Sequence, residues 1–115
     1  MTVSREQFET WVQDAIDSVP PDIAELIDNV AFVVEEEPPP GEDLLGLYHG
    51  IPHTARTSQY GGVLPDVITI YRGPLQRYYG GNDEVLRGQI RRTVLHEIAH
   101  HFGISDERLV ELDRY

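Results

Sequence analysis

His96-Glu97-Ile98-Ala99-His100-His101-Phe102-Gly103-Ile104-Ser105-Asp106 is the stretch on which both the fold and the chemistry of this chain turn. On an α-helix, residues i and i+4 stand on one face. His96 and His100 can therefore direct two imidazole nitrogens at one point about 2.0–2.1 Å from each, the reach that zinc requires. Glu97 lies about 100° further round the helix, near such an ion without being its natural ligand, where a general base for an activated water belongs. Gly103 can take a positive φ and end the helix. A carboxylate three residues later, Asp106, is then placed to complete a three-donor site with one open position. The plainer account of the same residues is a buried helix with two hydrogen-bonded histidines, Glu97 on a solvated flank, and Asp106 favouring the start of the next helix electrostatically. Glu107 and Glu111 are the alternatives to Asp106. The continuation through Gly103 and Asp106 favours the zinc reading and a hydrolytic chemistry.

Working outward, Asn82 or Asp83 caps a helix that ends at Phe102 and carries Val85, Leu86, Ile90, Val94, Leu95, Ile98, Ala99 and Phe102 on a wide apolar arc. Ser105 caps a last helix with Leu109, Val110 and Leu112. Upstream, Gly73-Pro74 leads into a short helical segment, Leu75 to Tyr79, broken by Gly80-Gly81. Val67 to Tyr71 and Leu44 to Tyr48 read as strands. Val30 to Val34, apolar and β-branched, reads as a strand buried on both faces. Between the last two strands, residues 50–66 are expected to form a long loop or small hairpin facing substrate, with His49 and His53 at its start as weak ligand candidates. The acidic and proline-rich segment Glu35 to Asp43 is an exposed, stiff connector. Ser4 and Gln7 form a capping-box pattern before Phe8, Trp11, Val12, Ala15, Ile16 and Val19. Pro20-Pro21 stops that helix and starts a second that buries Ile23, Leu26 and Ile27.

Short strand signals between helical ends predict an α+β fold, with a small sheet of three or four strands packed on the long helix. The 115 residues make a single domain over 1–115. The net charge of −11 is concentrated in residues 1–43, which hold twelve acids and one arginine. That distribution excludes a nucleic-acid partner, which needs clustered cations. No run approaches membrane-spanning length and no signal peptide is visible, so the expected setting is cytoplasmic. With no cysteine, thiolate metal sites are excluded. Nothing in the sequence selects an oligomeric state. His101 shares Glu97's side of the helix and is a candidate for orienting it or for stabilising an oxyanion. Tyr48, Tyr71 and Arg72 are further oxyanion candidates.

HEIAHHFGISDE resembles the zincin-like metallopeptidases, whose aspartate-ligated members share HExxHxxGxxD. The chain is most similar to the small bacterial proteins called mini-zincins. The resemblance extends to Leu44-Leu45-Gly46-Leu47-Tyr48 and to Ile68 through Leu75, so it spans the chain from about residue 30 onward. It implies a minimal zincin-like fold, one zinc per chain held by His96, His100 and Asp106, Glu97 as general base, and hydrolysis of a peptide or protein substrate. An extended peptide would add to an exposed sheet edge, expected to be Leu44–Tyr48. Two branches of the family fit poorly. The only methionine is Met1, so the methionine turn of metzincins is missing, and the fifteen residues after His100 leave little room for the glutamate helix of gluzincins. The alternative is a catalytically silent metal-binding interaction module of the same fold, since so short a chain has little material to wall a cleft.

Protein purified without chelator is expected to carry up to one zinc per chain, and joint replacement of His96 and His100 by Ala to remove it. Elemental analysis of both proteins checks this. Zinc retained in the double variant would move the site elsewhere.

Overall fold

The computed structural model describes residues 3–49 and 66–113. In order, these form α1 (Arg5–Asp17), α2 (Pro21–Leu26), β1 (Val30–Glu35), β2 (Gly46–His49), β3 (Asp66–Tyr71), α3 (Arg72–Tyr79), α4 (Asp83–Phe102) and α5 (Asp106–Asp113). The fold is α+β, with a mixed three-stranded sheet among the described residues, ordered β1-β3-β2. β1 runs parallel to β3, pairing Val34 with Ile70, whereas β2 runs antiparallel, pairing Gly46 with Ile70 and Tyr48 with Ile68. Among the described residues, β2 is therefore an edge strand.

Each helix boundary has a local cause. The Ser4 hydroxyl accepts from the Gln7 amide at 3.1 Å, and the Asn82 side chain accepts from Val85 at 3.1 Å, satisfying donors that a helix start leaves open. Pro21 occupies the first turn of α2, where its missing N–H costs nothing. Gly103 ends α4 at φ 71°, and Ser105 accepts from the Arg108 amide at 3.1 Å to open α5. α3 begins directly after β3, earlier than the Gly73-Pro74 turn suggests, because Gly73 N–H donates to the Glu36 carbonyl at 2.7 Å and ties the strand exit to the connector.

α4 lies at the centre, against α1, α3, α5 and the β2–β3 pair. Leu86, Ile90, Val94, Leu95 and Ile98 are buried with Phe8 of α1, Leu75 of α3, Leu112 of α5 and Ile68 and Ile70 of β3. The apolar arc is narrower than expected, since Val85 is 49% exposed. β1 is not buried on both faces. Val34 turns inward while Val33, its neighbour on the opposite face, is 38% exposed, because the helices cover one side of the sheet. Leu26 is likewise exposed rather than buried. The acidic connector is exposed but anchored: Arg72 reaches Glu36 at 3.1 Å and the Val3 carbonyl, and Arg77 reaches Glu37 at 2.7 Å.

Phe8 is wholly buried where α1 meets α4. Phe8→Ala should cost about 3–5 kcal/mol, the scale for deleting a buried aromatic, whereas Leu26→Ala should cost under about 1 kcal/mol. Urea unfolding with an unchanged slope checks the contrast.

Candidate functional site

The last two turns of α4 carry the histidines. Ile98 is wholly buried and fixes the rotation of this segment, which leaves His96 and Glu97 half-buried and His100 and His101 exposed. Gly46 brings β2 onto the same surface. A Cβ there would stand 2.9 Å from Thr93 Cγ2 and 3.2 Å from Glu97 Cγ, so a bare backbone is what allows the edge strand to lie against Glu97.

A chain of contacts reaches Glu97 from the sheet. The Tyr48 hydroxyl donates to Asp66 Oδ2 at 2.8 Å. Its ring stacks on His101 with centroids 4.0 Å apart and planes 19° apart, and meets Phe102 edge-on. His101 Nε2 is 3.9 Å from Glu97 Oε1. Two of the four oxyanion candidates are thus brought to the glutamate. The other two are not. Arg72 is engaged with Glu36 and Val3, and Tyr71 follows Ile70 on β3, so its side chain belongs to the sheet face turned away from α4.

His49 ends β2 opposite Val67, exposed and on the other face from Tyr48. His53 and residues 50–65 of the flap expected at 50–66 lie outside the described residues, while Asp66 opens β3. Asp106 is the first residue of α5 and is exposed. Among the described residues, no three His, Asp or Glu side chains stand close enough together to hold an ion, so His96, His100 and Asp106 are not gathered as a ligand set here. His96 Nε2 accepts from Arg92 Nε at 3.5 Å, and Asp106 lies in the first turn of α5, where a negative charge is favoured. The donors nonetheless suit zinc chemically: two imidazoles four residues apart and a carboxylate just past a left-handed turn are the nitrogen and oxygen ligands this ion accepts.

Beside Glu97 lies a cavity of about 470 Å³, lined by Leu44, Leu45 and Gly46, by Tyr79, and by Gln89, Arg92, Thr93, His96 and Glu97 of α4. The site motif alone did not reveal Arg92 and Gln89. Their signal was available, because they precede His96 by four and seven residues and so share its face. Gly46 carried no such signal, since its role depends on strand register.

Residues 27–115 match the family of zincin-like metallopeptidases, and the chain belongs to that family. No curated protein matches it. Among solved structures, a conserved hypothetical protein from Thermus thermophilus is similar at 29% identity and a TM-score of 0.59, covering 94% of this chain and 98% of that one. Among the described residues, no helix is long and apolar enough to cross a membrane.

Tyr71 offers a test of packing at the end of the central strand. Burial, followed by the nearby Glu42 and Glu35 charges, raises its phenol above the ordinary tyrosine value. A group held neutral in this way contributes stability that is fully present below the unfolded value of about 10 and is lost as pH rises through the folded value. Alkaline unfolding followed by circular dichroism should therefore show a loss above about pH 10 that is reduced in Tyr71→Phe.

Proposed function

We propose that this chain is a zinc-dependent metallopeptidase that hydrolyses peptide bonds with Glu97 as general base. The observation that carries the reading is the placement of Glu97 between His96 and His100, half-buried, against the bare backbone of an edge strand. His96, His100 and Asp106 would hold the metal, which when bound supplies a Lewis acid of the kind that polarises a carbonyl and acidifies water.

The remaining work falls to the chain's own groups. Glu97 takes a proton from the attacking water at a carboxylate oxygen and returns it to the departing amine. The stack of Tyr48 on His101 restricts the imidazole nearest to Glu97, so the carboxylate has a neighbour in a fixed orientation. The His101 ring can donate toward an oxyanion formed nearby, whereas the Tyr48 hydroxyl proton is given to Asp66. β2, an edge among the described residues, would offer main-chain donors and acceptors to an extended peptide entering as an added strand. Backbone pairing of this kind holds a peptide of any sequence, so selectivity must come from side-chain pockets.

Two substitutions separate the roles. Glu97→Gln should leave zinc content near that of the parent while lowering the rate on a mixed peptide library by roughly 10²–10⁴, the scale for a lost acid–base group. Asp106→Ala should weaken zinc retention first, because two histidines alone hold the ion poorly. Equal zinc loss in both variants would make Glu97 a ligand or a structural residue. Zinc kept in both, with no peptide cut by the parent protein, would favour a catalytically silent metal-binding interaction module.

A further inference from the structure

We propose that the cavity beside Glu97 is a subsite for a substrate carboxylate, with Arg92 as its specificity-determining residue. This rests on the peptidase reading above, which it extends to a class of substrate. The cavity of about 470 Å³ adjoins His96 and Glu97 and runs along α4 toward its N-terminus, through Arg92 and Thr93 to Gln89. It is therefore one-sided, receiving groups on a single side of the bond to be cut. The acidic excess of the chain lies in residues 1–43, none of which lines this space; among the described residues, the charged ones that do are Arg92 and Glu97, apart from the titratable His96. Glu97 stands at the end of the space where proton transfer is proposed, and Arg92, whose Nε donates to His96 Nε2 at 3.5 Å, is the cation among the charged residues of the lining.

A peptide added to the edge of β2 points every second side chain toward α4. A side chain entering the cavity passes Leu44 and Leu45, which suit methylenes, before it reaches the guanidinium. Arginine presents its donors as a planar fork that matches a carboxylate with two parallel hydrogen bonds. Gln89 adds a neutral hydrogen-bonding group beside it, while the Thr93 hydroxyl donates to the Gln89 carbonyl at 2.7 Å. A lysine or arginine of the substrate would instead meet a like charge. The carboxylate can come from an aspartate or glutamate side chain or from the free C-terminus of a peptide, and these two sources separate in one experiment.

The test measures binding to zinc-loaded Glu97→Gln protein, which retains the cavity and is not expected to turn over its ligand. Four short alanine–glycine peptides are titrated by calorimetry: acetylated and amidated peptides bearing one central Glu or one central Gln, and all-neutral peptides ending in a free or an amidated carboxyl. The carboxylate-bearing member of at least one pair should bind about tenfold more tightly than its counterpart, the scale of one charge-assisted contact. Adding Arg92→Gln should bring that ratio to about one, and Arg92→Glu should reverse it. Preference within the Glu/Gln pair assigns a side-chain carboxylate, and preference within the other pair assigns a chain terminus. Equal affinities within both pairs, a preference that survives Arg92→Gln, or no measurable binding by any peptide would overturn the proposal. Hydrolysis by the parent protein is scored separately. A carboxylate preference that depends on Arg92, in a protein that cuts nothing, would leave the subsite standing and remove the peptidase reading.

Discussion

One side of α4 must be buried, and the remainder of the molecule is arranged around that requirement. Leu86, Ile90, Val94, Leu95 and Ile98 share a core with Ile68 and Ile70 of the central strand and with residues from α1, α3 and α5. Each such side chain contributes roughly 1.5–3 kcal/mol when fully buried. Turning the helix by one residue would rotate it by about 100°, exposing several of these groups while burying polar ones. The rotation of α4 is thus fixed by packing, and the polar stripe from Gln89 to Glu97 inherits its direction from the core. The site owes its orientation to apolar residues that take no part in its chemistry.

The site differs in rigidity from one side to the other. Glu97 stands on a helix, abuts a strand through Gly46, and lies near an imidazole stacked on Tyr48. Groups carried on packed helices and strands are held more closely than groups on loops. Asp106 belongs to a separate short helix reached through the left-handed turn at Gly103. The donor that would complete a metal shell is therefore the one whose position depends on a single backbone turn. This division separates the two histidines, which share one face of α4, from the third donor, which stands in the first turn of α5.

Much of this was legible in the sequence, and the exceptions share a cause. The apolar spacing through Ile98 and the glycine at position 103 mark the body and end of α4, and the cap falls on Asn82, one of the two neighbours the local pattern allows, because helix periodicity and capping are local. The three strands were legible for the same reason. Val33 and Leu26 are more exposed than their apolar character suggests, because that character does not say which sides of an element are covered. Arg72 looked available beside the third strand, yet it holds the connector at Glu36, a contact between residues 36 positions apart that no local pattern encodes. The closeness of Gly46 to Glu97 likewise follows from how β2 registers on β3.

The parallel pairing of β1 with β3 has a consequence for how the chain is made. Val30 pairs with Asp66 and Glu35 with Tyr71, so during synthesis the whole of β1 emerges well before the strand it needs. Parallel pairing across such a separation is intrinsically slow, because the loop must close before the contacts form. Meanwhile an apolar, β-branched segment with no partner is the kind of sequence that associates with copies of itself. Glu35-Glu36-Glu37 and Pro38-Pro39-Pro40 stand immediately after it. Like charges repel neighbouring chains and proline cannot extend a ladder, so this stretch acts as a gatekeeper until β3 arrives. Two of the same glutamates, Glu36 and Glu37, then become anchors for Arg72 and Arg77, so a device that protects the nascent chain is reused as a fastening in the folded one.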